Sequence, residues 1–370
     1  MKCLKCGKNN LYRDRSGGKC SGCGQAFVFE PKSGDVFTDT LFDKALEHAS
    51  FKDSLSYQPL QLYYELARLR LKKPGAVASK LGATIGTGFA GLLLGVFWTL
   101  FWVNAFKFGP GLFVVEGIYL LVWLVILTAV WRKTDPTLIT LDKNLFAKGL
   151  KKWQAARGQL KGLMDRPLAL PHPAKEKDVL DYAVERAIIC DHKEVVDFLL
   201  ANNFHIEQKC AILTYGGYPP ERFEAIRAML RKNPQLHVFV LHNASANGCR
   251  IYTDLIHDKE WFPGSKRVFD IGLHPRHAKV FKGLWQKATT QSVLPVPGYS
   301  AEEMKWLERY KLELMVVPPA KLLKHLRNVI SGQARSIADA YAQGNSDSSG
   351  AGGDLILVGD GFDGGDSDFG

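Results

Sequence analysis

The sequence predicts a multidomain chain: a small zinc ribbon, a two-helix transmembrane hairpin, and an α/β domain with a mostly parallel sheet. Three observations predict this. Cysteines at 3, 6, 20 and 23 form a C-x2-C…C-x2-C array. Two apolar stretches at 81–106 and 111–131 each reach the length of about 20 residues that an α-helix needs to cross a bilayer. From Ala187 to Arg250, short β-branched runs alternate with amphipathic helical patterns, the signature of parallel βα units.

The first module spans residues 1–30. Cys3-Leu4-Lys5-Cys6-Gly7 and Cys20-Ser21-Gly22-Cys23-Gly24 repeat one turn twice. Each loop aims two thiolates at one metal, and the Gly after it allows the tight backbone turn. All four positions are Cys, so the predicted zinc is structural and leaves no open position for catalysis. The remaining cysteines, Cys190, Cys210 and Cys249, read as buried reduced thiols rather than a disulfide framework. Lys2, Lys5, Lys8, Arg13, Arg15 and Lys19 make the ribbon basic, compatible with nucleic-acid contact or with a docking role.

A helical connector follows at 36–74, and its second helix, basic at the end, suits the headgroup surface. The hairpin is expected at 81–132. No charged residue interrupts 81–106, and only Glu116 interrupts 111–131. Lys107 stands alone in the turn, whereas Arg68, Arg70, Lys72, Lys73 and Lys80 precede the first span and Arg132, Lys133, Lys143 and Lys148 follow the second. By the positive-inside rule both termini face the cytoplasm, which places a multi-pass chain in a plasma membrane of bacterial type. Gly82, Gly86, Gly91 and Gly95 offer close-packing faces for the two spans or for a homodimer through the membrane helices. Residues 141–175 read as a basic juxtamembrane helix around Trp153 plus a Pro linker, facing anionic lipid or nucleic acid.

The α/β domain is expected over 176–335. Its first three strands end at Asp191-His192, at Gly217-Tyr218-Pro219, and at Asn243-Ala244-Ser245 leading to Gly248. In such sheets ligands sit beyond the carboxyl ends of the strands, which makes these residues the candidate cleft. A tail at 336–370, with seven Asp and no Lys or Arg, cannot bury a core and is expected to be disordered. The formal charge of +11 therefore understates the basic body before it, which carries +18. That balance favours anionic partners, whether lipid headgroups, nucleotide or nucleic acid.

These strand ends resemble the Toprim domain of the topoisomerase VI A subunit family, over roughly 178–330. Gly217-Tyr218-Pro219 matches the motif after that family's second strand. Asp191-His192 stands in place of its Glu-Lys, and Asn243-Ala244-Ser245 in place of its Asp-x-Asp. The resemblance implies a cleft that, in the family, holds Mg²⁺ for phosphoryl transfer. Here only Asp191 keeps a carboxylate, while Asn243 and Ser245 are neutral, and a hard cation wants anionic oxygens. Asp254 and Asp270 follow in sequence without a spacing that places them in the pocket. The family's nucleophilic Tyr domain has no counterpart, since the zinc module and apolar spans occupy that part of the chain. The expectation is a membrane-anchored cytoplasmic binding protein whose Toprim-like domain has lost its chemistry. The alternatives are a divalent-metal nuclease or phosphotransferase using Asp191 and His192, and a membrane scaffold for protein partners.

Overall fold

The computed structural model describes residues 1–71, 137–165, 184, 186–233, 236–257, 261, 267–289 and 295–332, with isolated positions at 95, 114, 117, 118 and 121–123. The chain divides into two compact units. One is built from Met1–Ala67 together with Ile139–Gly370, the other from Arg68–Leu138.

The centre of the first unit is a four-stranded parallel sheet. Its strands are β1 (Arg186–Cys190), β2 (Cys210–Thr214), β3 (His237–Leu241) and β4 (Val268–Asp270), in the order β2-β1-β3-β4. In register, Ile188 lies beside Ile212 on one side and Phe239 on the other. The strands read as continuous apolar runs because helices cover a parallel sheet on both faces. Helices α4 (Lys193–Ala201), α5 (Phe204–Glu207), α6 (Pro220–Lys232) and α7 (Ala246–His257) make the connections. Ala187, Ile189, Leu213, Val238 and Val240 form a core with Ile226 of α6 and Leu255 of α7. The predicted α/β class and its three sheet-forming runs are thus present. The chain reverses its direction of travel across the sheet between β1 and β3, so the crevice of such a fold opens beyond these two strands.

Downstream come β5 (Gln286–Lys287), α8 (Ala301–Arg309), β6 (Tyr310–Lys311) and α9 (Pro319–Ile330). The residue spacing of 301–317 is helical up to the Pro318-Pro319 break. Instead α8, opened by a Ser300/Glu303 capping box, ends at Arg309. The aromatic Tyr310 then enters an antiparallel pair with β5, and Leu314, Met315 and Val316 are buried in a short 3₁₀ turn. Pairing and burial outweigh the helical spacing there. Ala244 and Leu312 exchange N–H···O bonds at 2.9 Å, which draws this segment over the exit of β3.

Ahead of the sheet, α1 (Asp39–Ser50), α2 (Pro59–Leu71) and α3 (Lys143–Arg157) match the helices expected from sequence, but not their surroundings. Trp153 of α3 is buried, stacked on Phe42 at 4.8 Å and on Phe29 at 5.8 Å. The aromatic face expected to meet lipid or nucleic acid therefore packs inside the protein, and two of the four lysines of α3, Lys152 and Lys143, pair with Asp35 and Glu313. In α2, every residue from Gln61 to Ala67 is buried, so that stretch has no apolar face left for a headgroup surface.

Side chains also tie these helices to the α/β layer. Asn202 accepts from Ser56 N–H at 2.9 Å and donates to Ser56 O at 3.0 Å, reproducing a strand-like pair between distant segments. Tyr57 N–H donates to Gly162 O at 2.8 Å. Residues expected to form separate modules are therefore parts of one body.

Among the described residues no helix is long and apolar enough to cross a membrane. The expected spans at 81–132 lie outside the described residues apart from isolated positions, and the expected tail at 336–370 lies wholly outside them.

Candidate functional site: a strand-end cleft and a four-cysteine centre

At the N-terminus the sequence repeat becomes a structural repeat. Gly7 N–H donates to Cys3 O, and Gly24 N–H to Cys20 O, both at 2.9 Å. Both glycines sit in the left-handed region, at φ 73° and 70°. The four sulfurs of Cys3, Cys6, Cys20 and Cys23 converge, with Cys3–Cys23 and Cys6–Cys20 each at 3.6 Å. Two thiolates on one zinc, each bonded at about 2.3 Å, stand about 3.8 Å apart, so the spacing fits a tetrahedral ion. The buried Asn10 braces the centre. Its Nδ2 donates to Cys20 Sγ at 3.4 Å and to Lys8 O at 2.8 Å, while its Oδ1 accepts from Ser21 N–H at 2.9 Å. The Gly22 N–H, aided by the Cys23 and Asn10 N–H groups, lowers the Cys20 thiol to about 6. Such N–H···S contacts favour the thiolate that a metal requires.

The second candidate lies beyond β1 and β3. A cleft of about 150 Å³ is lined by His192, Asn243, Ser245, Asn247, Lys311 and Glu313, among others. Ser245 caps α7, its Oγ accepting from Gly248 N–H at 3.1 Å, so the positive end of a twelve-residue helix opens on the cleft. A side chain on Gly248 would meet Asn243 O at 2.5 Å, Ser245 Oγ at 3.0 Å and Asp191 Oδ2 at 3.2 Å. Only glycine lets α7 start this close to the β1 exit.

Asp191 is turned inward, with its side chain 3% exposed. Asn243 N–H donates to its Oδ2 at 2.7 Å, and Oδ1 stands 3.1 Å from His192 Nδ1. Asn243 is held as well: its Oδ1 accepts from Leu314 N–H, and its Nδ2 stands 3.1 Å from the same His192 Nδ1, which can accept there or donate to Asp191 but not both. His192 is more than half exposed, and its hydrogen bond to Asp191 raises its pKa.

Of the residues singled out from sequence, the structure therefore brings Asp191, His192, Asn243, Ser245 and Gly248 together. It does not bring Tyr218 to them by its hydroxyl. Tyr218 OH donates to Asp197 of α4 at 2.5 Å, while its backbone O accepts from Thr214 N–H across the Gly217 turn. Gly217 is at φ 95°, and the Tyr218–Pro219 peptide is cis.

Sequence reasoning missed two features. The first is a hollow of about 660 Å³ between the first Cys loop, α1 and α3, whose wall mixes Lys5, Arg157 and Lys161 with Asp43, Glu47 and Asp53. The second is a buried group of His242, Asp270 and His274 at the exits of β3 and β4. A His one residue past β3, and an Asp-x-x-x-His run leaving β4, are the sequence signals that mark it. Cys190 and Cys210 lie in the strands themselves, free and buried, and burial raises both thiols.

No protein-family model matches this chain, and neither a curated protein nor a solved structure is detectably similar to it.

Proposed function

We propose that this chain is a membrane-anchored binding protein whose Toprim-like α/β domain holds the phosphate end of a ligand without turning it over, and whose cysteine centre carries a structural zinc. The observation that carries the reading is the use made of Asp191. The one carboxylate kept from the resembling motif serves as an internal clamp between the β1 and β3 exits. Mg²⁺-assisted phosphoryl transfer needs carboxylate oxygens directed at the ion. Here Asp191 is buried with Oδ2 taken by the Asn243 N–H, while Glu313, which lines the cleft, is held by Lys311.

The cleft itself suits an anion. The first turn of α7, Ser245, the exposed His192 and Lys311 meet there, with Glu313 paired to Lys311 at 3.6 Å. Its 150 Å³ is well under the roughly 300–1,000 Å³ that encloses a whole drug-sized ligand, so an end group fits and the remainder extends outward. Membrane anchoring is supported by the uncharged stretch at 81–106 and the nearly uncharged one at 111–131. It is supported too by Val114, Ile118 and Leu121, helical positions whose apolar side chains are more than half exposed.

The test uses the full chain in detergent. Radiolabelled ATP without metal is followed by equilibrium dialysis, beside Lys311→Ala, and Mg²⁺ is titrated calorimetrically, beside Asp191→Asn. Saturable ATP binding weakened by Lys311→Ala, with no Asp191-dependent Mg²⁺ heat, is the expected pair. Saturable Mg²⁺ binding that Asp191→Asn abolishes, accompanied by phosphodiester cleavage, sinks the non-catalytic reading.

A further inference from the structure

His242 follows β3 directly and is fully buried, with Asp270 at the end of β4 and His274 four residues later. One ligand atom from each lies within 4.8 Å of the others. His242 Nδ1 stands 2.8 Å from the Asn243 carbonyl oxygen. A carbonyl only accepts, so Nδ1 carries the hydrogen and Nε2 is the atom turned to Asp270 Oδ1 at 2.9 Å. His274 is oriented in the same way. Its Nδ1 is engaged by the Tyr299 hydroxyl at 2.9 Å, and its Nε2 faces the other oxygen of Asp270 at 3.6 Å.

Two imidazoles thus turn their Nε2 atoms on one carboxylate, and each has its Nδ1 fixed from behind. This is the arrangement by which proteins set the tautomer and tilt of histidines that ligate metals. A proton on His242 neutralises the carboxylate but gives His274 no partner among the three. It leaves His274 Nε2 beyond hydrogen-bond distance of Oδ2 and still aimed at it. One cation among the three satisfies all of them. Two ligands on an ion at about 2.0–2.1 Å stand roughly 3.3 Å apart, between the two spacings observed. The surroundings keep the room for such a centre. Gly272 N–H donates to Asp270 Oδ1 at 3.0 Å, and a Cβ on Gly272 would strike the His242 ring at 2.4–2.6 Å.

We infer that His242, Asp270 and His274 form a second metal centre, for a divalent transition ion such as zinc, separate from the four cysteines. Two nitrogen donors and one carboxylate select against Mg²⁺ and Ca²⁺, which take oxygen shells. Three protein donors leave a further coordination position, unlike the closed cysteine site. The centre lies at the exits of β3 and β4, where Asn243 links it by one residue to the anion cleft, and it does not depend on that cleft's assignment.

The test is metal stoichiometry on the full chain in detergent, stripped with chelator and dialysed against micromolar Zn²⁺. Two ions per chain are expected. Asp270→Asn and His274→Ala should each hold one, and a Cys3→Ser/Cys6→Ser variant should also hold one. Loading with Co²⁺ separates the centres without mutation, because only the first shows sulfur-to-metal charge-transfer bands. Tyr299→Phe leaves every ligand in place and should weaken the second ion 10–100-fold while leaving the first unchanged. One ion per wild-type chain, a second ion retained in Asp270→Asn, or a second ion bound only at millimolar concentration overturns the inference.

Discussion

Gly149 of α3 offers a substitution whose sign, not merely its size, is decided by where that helix packs. On an exposed helix, Gly→Ala stabilises by about 0.8–1.0 kcal/mol, because Ala loses less backbone freedom on folding. Here a Cβ would stand 2.6 Å from Phe37 Cε2 and 2.8 Å from Cδ2, whereas ordinary contact begins near 3.4 Å. The ring would have to withdraw by about 0.8 Å to restore it. Phe37 is 2% exposed and wedged edge-on against Phe29 at 5.6 Å and Phe42 at 5.7 Å, so it has nowhere to go. Overpacking of this kind costs about 1–3 kcal/mol. Subtracting the propensity gain, Gly149→Ala should destabilise by up to about 2 kcal/mol. Urea denaturation followed by far-UV circular dichroism reads the change as a shift in midpoint at constant slope. In a Phe37→Ala background the clash is gone, and the same substitution should become stabilising. A single Gly149→Ala variant more stable than the parent by about 1 kcal/mol would show α3 to be free on that face, and the interior placement of Trp153 would fall with it.

Three further outcomes are expected. Stripping the cysteine centre with a strong chelator should release the first 30 residues to limited proteolysis at sites protected before, and Zn²⁺ should restore protection; unchanged cleavage would remove the structural role of the ion. Asn202→Ala breaks both bonds to the Ser56 backbone and should cost about 1–3 kcal/mol, and a neutral result in urea would mean that the N-terminal helices dock without it. His325 has its pKa lowered to about 4, by burial first and then by Lys324 and Lys321. The unfolded chain therefore takes up the proton first: the stability it contributes is full above pH 6.5 and falls as pH drops toward 4. The slope contributed approaches about 1.4 kcal/mol per pH unit, and His325→Gln should flatten it in melts between pH 7 and 4.

What could be read from sequence followed local rules. The three sheet strands were legible because Ala187-Ile188-Ile189, Ala211-Ile212-Leu213 and Val238-Phe239-Val240 are apolar runs of strand length, each closed by a polar turn. The cysteine loops were legible because spacing alone places both thiolates. The placement of α2 and α3 was not, since a basic helix with a Trp looks the same whether the ring meets lipid or Phe42. Its partners lie at residues 29 and 42, about a hundred positions upstream, and no local pattern records that pairing. Asp191 was legible as a site residue but not in its role: the 2.7 Å bond from Asn243 N–H arises from the sheet order, which brings β3 rather than β2 to that side of β1. The His242–Asp270–His274 group was invisible for the same reason, because its members come together only when β4 pairs with β3.

The first unit is discontinuous: the chain departs from it at Ala67 and rejoins it at Ile139, where Ile139 N–H donates to Trp285 O at 2.8 Å. A body assembled from both flanks of an insertion imposes a parity rule on whatever the insertion does. Any excursion through a bilayer within 68–138 must return to the side from which it left, so the number of crossings is even. An odd count would place α1 and α2 on one side of the barrier and their partners Trp153 and Asn202 on the other. The bonds between Asn202 and Ser56 thus constrain the topology of a segment in which neither residue takes part. That rule holds independently of any count of flanking lysines and arginines, and cysteine labelling from the two faces of a sealed vesicle, at positions 8 and 209, would report it as one shared accessibility.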